Sequence, residues 1–177
     1  AKAESIRDAS DEAMVHTLLV LAQYRILTEE FEKAARHLED ALPRMGKKDK
    51  ERTRATFVLA QCLRAAGDKE GAIEQFQEVA DMRWADYEWV FQGNIQQAMT
   101  YERRNGNSEA IVELLEDMLE DSKNEEFLDQ VYYALGEVAL EDRRRDESFD
   151  LFKSSVAAHV DNNRPLGKGY LKLADLY

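Results

Sequence analysis

The chain has 177 residues, of which 36 are acidic and 24 basic, giving a formal charge of −12. So acidic a chain repels phosphate backbones unless it gathers a basic face, and its basic clusters (46–50, 103–104 and 143–145) are short and fall where the periodic pattern breaks. No apolar run is long enough to span a bilayer as a helix, and the lone cysteine, Cys62, excludes an internal disulfide.

Two prolines, 34% charged residues and no alternating β-branched pattern make the expected class all-α. The opening "AKAESIRDASDEAM" lacks a basic-then-apolar signal. A first helix follows around "LLVLAQY" (18–24), then a break at "LTEE" (27–30), then a second helix carrying "AARHL" (34–38). The same succession returns as "TFVLAQCL" (56–63), "AGDKE" (66–70) and "AIEQF" (72–76). A weaker copy, with Asn94 and Gln97 at apolar places, leads through "NGNSE" (105–109) to "AIVEL" (110–114). The fourth reads "YYALGEVAL" (132–140), "EDRRRDE" (141–147) and "SFDLF" (148–152), and a partial fifth is "GYLKLADLY". Gly67 and Gly106 suit the left-handed residue that closes a helix, and Thr28, Asp68 and Asn107 suit the N-cap of the next. Because the final pattern stops without a cap, both ends are expected to be cuts in a longer protein.

A ruler of 38 residues fits the whole chain. Ala22, Ala60, Ala98, Gly136 and Ala174 form one series of small residues; Ala34, Ala72, Ala110 and Ser148 form a second, and Leu38, Phe76, Leu114 and Phe152 a third, bulky one. The expectation is one array over 1–177, with repeats at about 15–50, 53–85, 90–122 and 129–160 and a partial unit at 167–177. Glycine inside a helix costs about 1 kcal/mol against alanine, whereas overpacking a contact costs about 1–3 kcal/mol. Gly136 is therefore assigned to a close crossing, its helix facing another small residue.

The pattern resembles the tetratricopeptide (TPR) class: Tyr132, Leu135, Gly136, Ser148 and Phe152 fill its places in the fourth copy, and Leu18, Leu21, Ala22, Ala34, Leu38 and Ala41 in the first. The period departs from the common 34, so links between units are about four residues longer. The resemblance implies a right-handed α-solenoid of four helix pairs plus one further helix, acting as a non-enzymatic protein-binding scaffold. More narrowly, "DQVYYALGEVAL" and the pair Asn162–Asn163 before "YLKLADLY" resemble the SprE/PorW proteins of the Bacteroidetes type IX secretion system. That resemblance implies a periplasm-facing, lipid-anchored envelope protein serving secretion and gliding motility, its anchoring cysteine upstream and distinct from Cys62. The competing reading is a peptide sensor or adaptor that regulates an attached effector domain.

Such an array works by surface. The residue three before each small anchor (Leu19, Phe57, Ile95, Tyr133, Leu171) is apolar in every copy, and four residues on stand Gln23, Gln61, Met99, Glu137 and Asp175. They are read as a groove for a peptide or partner helix, with packing between units as the bland alternative. The Lys and Asn of a carboxylate clamp are absent from these places. Trp84, Tyr87 and Trp89 either fill the longer link or form a hot spot, and filling is the preferred reading. His16, His37 and His159 stand on separate repeats, and the pairs Glu29–Glu30 and Glu125–Glu126 sit at helix starts, where acids suit the macrodipole. No phosphate loop or HExxH motif occurs. No catalytic residue, metal or cofactor is expected.

Overall fold

A computed structural model describes residues 2–103 and 108–161, and among these there are helices but no strand. Among the described residues, eight α-helices run in order: α1 (Lys2–Leu27), α2 (Phe31–Ala41), α3 (Lys50–Ala66), α4 (Lys69–Ala80), α5 (Tyr87–Ala98), α6 (Glu109–Glu120), α7 (Leu128–Glu141) and α8 (Arg145–Asp161). Ala174, Leu171, Asp175, Asn162, Asn163, Gly106, Asn107 and the partial repeat at 167–177 lie outside the described residues, as does the side chain of His159. The chain divides into two compact units, Ala1–Gly93 and Asn94–Tyr177.

The corners obey the same ruler as the helices. Glu29, Gly67 and Arg143 have φ of 58°, 92° and 64°, and they are spaced at 38 and twice 38 residues. Each donates its amide three residues back, to Ile26, Arg64 and Leu140. The next amide reaches five back, to Arg25, Leu63 and Ala139, which is the Schellman pattern that satisfies the last carbonyls of a helix. Only one of these corners is glycine; the left-handed conformation costs an ordinary residue roughly 1–2 kcal/mol, which the hydrogen-bonded corner offsets. Asp68 caps α4 by accepting from the Gly71 amide at 3.0 Å. Thr28, expected to cap α2, instead donates its hydroxyl back to the Tyr24 and Arg25 carbonyls and so closes α1; the residue at the start of α2 is Glu30. Threonine at a helix end has both options, and here the back-bond is made.

In the first unit, the core joins Ala22 of α1, Ala34, Ala35 and Leu38 of α2, and Ala55, Leu59 and Cys62 of α3. A second cluster holds Phe57, Ala60, Ala72, Phe76 and Val79 from α3 and α4. Gly93 of α5 stands against α4. A Cβ there would lie 2.9 Å from the Phe76 carbonyl oxygen and 3.0 Å from the Ala80 nitrogen, both backbone atoms that cannot rotate away.

In the second unit, α7 packs on α8, with Ala134, Val131, Ala139, Ser148 and Phe152 fully buried. A Cβ on Gly136 would meet Cε1, Cδ1 and Cζ of Phe152 at 2.5, 2.7 and 2.9 Å. The glycine thus receives an aromatic ring edge, and the expectation that it faces a second small residue is corrected: the bulky residue four beyond Ser148 is what reaches it. Ala110, expected to pack like Ala34 and Ala72, is exposed. The buried residues of α6 are Leu115 and Met118, with Ile111 half-buried, so this helix turns a stripe one residue later toward the interior than α2 or α4 does. Leucine at 115, where the other copies carry Glu39, Gln77 and Lys153, supplies the reason.

Asp142 ties the last corner together, accepting from the Tyr101 hydroxyl at 2.9 Å, from Ser108 Oγ, and from Arg144 Nη2 at 3.3 Å. Burial alone would raise its pKa, but these donors outweigh that and hold the carboxyl below its usual value. A depressed carboxylate stabilises the fold above its unfolded pKa and loses that contribution as pH falls through the folded value. Asp142→Ala is therefore expected to cost about 1–2 kcal/mol at neutral pH. It should also flatten the loss of stability on acidification, read from urea midpoints in a pH series. An unchanged acid slope would remove Asp142 from the account.

Candidate protein-interaction surface

Which side chains of the first helices are accessible is decided by rotation about the helix axis. Residues three apart share a face, so the residue three before a buried anchor follows that anchor inward. Phe57 behaves in this way. It is buried three residues before the wholly buried Ala60, and its ring lies edge-on to both Phe76 and Trp89, with centroids 5.3 Å apart and planes at 68° in each case. Ile95 is likewise buried. Tyr133 is half-buried, its ring 5.5 Å from Phe152, and its hydroxyl donates to the Glu137 carboxylate. Burial first, and then the Glu137 charge, push this tyrosine up to about 12. The row expected to line a groove is, at Phe57 and Ile95, part of the interior, and at Tyr133 a packed and paired residue.

The accessible row lies one residue further on. In the first unit a concave surface between α1 and α3 is lined by His16, Leu19, Val20, Gln23, Ile26, Glu51, Arg54 and Val58. Val20 and Val58 are one period apart, as are His16 and Arg54. Leu19 and Gln23, expected in the groove, do line it, whereas Gln61 is exposed but outside the lining, and Met99 and Glu137 are half-buried in the second unit. The base of the groove is formed by the buried Ala22, Leu38 and Ala55; Leu19, Val20, Ile26 and Val58 add aliphatic surface, and His16, Gln23, Glu51 and Arg54 supply donors and acceptors. This is the composition that an extended peptide or an amphipathic helix meets in a recognition groove.

The aromatic link divides. Trp89 is half-buried on Phe57 and fills space, as preferred from the sequence. Trp84 and Tyr87 are 42% and 38% exposed. Trp84 borders a second shallow surface, with Lys47, Arg52, Glu74, Glu78, Asp81 and Met82. Filling is therefore corrected for Trp84. The six-residue link between α4 and α5 buries Met82 and leaves Trp84 at the surface.

Chemistry-bearing groups are dispersed. Cys62 is buried in the α2–α3 core, and burial pushes its thiol up to about 11, so the nucleophilic thiolate is scarce at neutral pH. Among the described residues no three His, Cys, Asp or Glu side chains gather in a way that would hold a metal ion. No described helix is long and apolar enough to cross a membrane.

Paired antiparallel helices on a fixed period, closed by identical left-handed corners and buried through alanines and glycine, define a TPR-like all-helical fold. Solved structures of similar fold agree with this description. MamA 41-end from Desulfovibrio magneticus RS-1, a TPR-like protein, superposes with a TM-score of 0.61 at 14% identity, over 92% of this chain and 94% of that one. A double mutant of MamA RS-1 superposes with the same values. At this identity the likeness establishes the fold alone. No family model matches the chain, and no curated protein does.

Proposed function

We propose that this chain is a non-enzymatic protein-interaction scaffold whose α1–α3 groove takes an extended segment or a helix of a partner protein. The observation that carries this reading is the groove itself: an aliphatic base, polar groups around it, and construction chiefly from the first helices of two successive repeats within the first unit. The narrower reading, a periplasmic component of the type IX secretion machinery held at the envelope by a lipid anchor upstream, rests on the sequence resemblance around "DQVYYALGEVAL" and "YLKLADLY".

One experiment addresses both levels. The chain is used as bait on solubilised envelopes of a Bacteroidetes species, beside a variant carrying Val20→Glu and Val58→Glu. Val20 is exposed, whereas Val58 is half-buried and lines the groove while packing against the edge of the core. An unchanged far-ultraviolet spectrum and urea midpoint are therefore required of the variant. Recovery of secretion components by the native bait, reduced at least tenfold by the variant, is the expected result; two buried charges facing a ligand without partners cost more than the roughly 1.4 kcal/mol that a factor of ten requires. Equal recovery with both baits would move the site off the groove. Absence of secretion components would discard the envelope assignment.

A further inference from the structure

The face of α1 turned away from α2 is apolar and bare. Met14, Leu21 and Tyr24 are 47%, 38% and 55% exposed, and Val20 and Leu27 beside them are 53% and 77% exposed. With Ser10, Thr17 and Thr28, these residues fall at alternating steps of four and three (10, 14, 17, 21, 24, 28), the spacing of a coiled-coil seam. Thr17 satisfies its own hydroxyl by donating to the Ala13 carbonyl, so it presents a methyl group rather than an open donor. No charged residue stands at any of these positions, nor at the flanking positions 13, 20 and 27, in a chain of which 34% is charged.

Elsewhere in the chain the same face is an interface. One period on, the counterparts of Thr17, Leu21 and Tyr24 are Ala55, Leu59 and Cys62, all buried in the core that α3 shares with α2. Three periods on, they are Val131, Leu135 and Val138, all buried on α7, a helix that packs on both α6 and α8. The face of α1 is not simply a vacant copy of these seats, because Tyr24 stands where Cys62 and Val138 admit a neighbouring helix closely. A bulky ring there keeps an α2-like helix at a distance and suits a wider seam.

We propose that this face pairs with the same face of a second copy, the two α1 helices running antiparallel. In that register Met14 meets Tyr24 of the partner subunit, Thr17 meets Leu21 of the partner subunit, and Ala13 approaches Leu27 of the partner subunit. These layers set an apolar group against an apolar group, and the outermost layer pairs Ser10 with Thr28 of the partner subunit. On the flank nearer the core, Asp11 comes opposite Arg25 of the partner subunit, a guanidinium that already pairs with its own Glu30 at 2.7 Å and would take Asp11 as a second carboxylate; a parallel arrangement does not bring the two together. The interface is isologous, so it closes at a dimer. A single two-helix seam is a small interface, and dissociation in the micromolar range is expected. Val20, at the flank of the seam, also lines the α1–α3 groove, but Leu21 and Tyr24 do not, so the variant at those two positions tests this inference separately from the proposed function.

Sedimentation of the 177-residue chain over a concentration series tests it. The expected result is a dimer at tens of micromolar that dissociates on dilution. Leu21→Glu with Tyr24→Glu should sediment as a monomer throughout, with an unchanged far-ultraviolet spectrum. A mixture of Met14→Cys and Tyr24→Cys proteins should form a disulfide-linked dimer under mild oxidation, while either protein alone should not. A monomer at every concentration would overturn the proposal. So would a dimer indifferent to the double glutamate variant, which would point to another face, or cross-linking within one variant alone, which would mean parallel pairing.

Discussion

Gly136→Leu is expected to destabilise the second unit by about 3 kcal/mol or more, the upper end of what overpacking costs. The first added carbon already falls 2.5 Å from Phe152 Cε1. Phe152 is wholly buried and contacted by Tyr133, so its ring has no free space into which to turn. Gly136→Ala separates the two opposing effects. Helix propensity gains about 1 kcal/mol while the clash costs roughly 1–3 kcal/mol, so a small net loss is expected. Phe152→Leu in the alanine background should then recover stability, because the smaller side chain vacates the position of the ring edge. A double-mutant cycle from urea unfolding reads the coupling directly. If the alanine variant were more stable than the native chain and Phe152→Leu simply added its own penalty, the close approach would not be the reason for the glycine.

The second large effect concerns Phe57. Its ring is wedged between Phe76 and Trp89, so Phe57→Ala removes two edge-on aromatic contacts and opens a cavity, at an expected cost of about 3–5 kcal/mol. Trp89 reports the event independently. In a Trp84→Phe background it is the only remaining tryptophan, and water entering the vacated space should shift its emission to the red. Native-like stability together with unshifted emission would mean that Phe57 is not part of the core. Charge at this position would likewise probe folding and not recognition, which is why the groove is tested at Val20 and Val58.

The period made most of the architecture readable from the chain alone. Small residues recur every 38 positions because two helices cross there, and the structure places the left-handed corners on that same spacing. What resisted reading was rotation and distance. The same-face relation between residues three apart, applied to Ala60, sends Phe57 inward, so its burial has a signal in the sequence. Ala110 is exposed because α6 turns Leu115 and Met118 inward, and the stripe Ile111, Leu115, Met118 at steps of four and three carried that information too. Gly93 had no such signal. Its necessity is a distance between the backbones of two helices, and no pattern of side chains within one helix encodes that. Nor could composition separate Trp84 from Trp89, since the first lies in the link and the second on α5, a boundary that the sequence pattern does not mark.

The longer links have a bearing on how the repeat could be cut and rejoined. They are folded pieces rather than slack. Leu42–Arg44 and Ser122–Phe127 form 3-10 turns. Met45 and Met82 are buried from the first two links, and the amide of Asn124, 1% exposed, donates to the Met118 carbonyl at 2.8 Å. A module for building longer or shorter arrays would therefore keep each link whole. Its seams would sit at the Glu29, Gly67 and Arg143 corners, where the hydrogen bonds are local and alike, so that one corner can be spliced to another without orphaning a buried side chain.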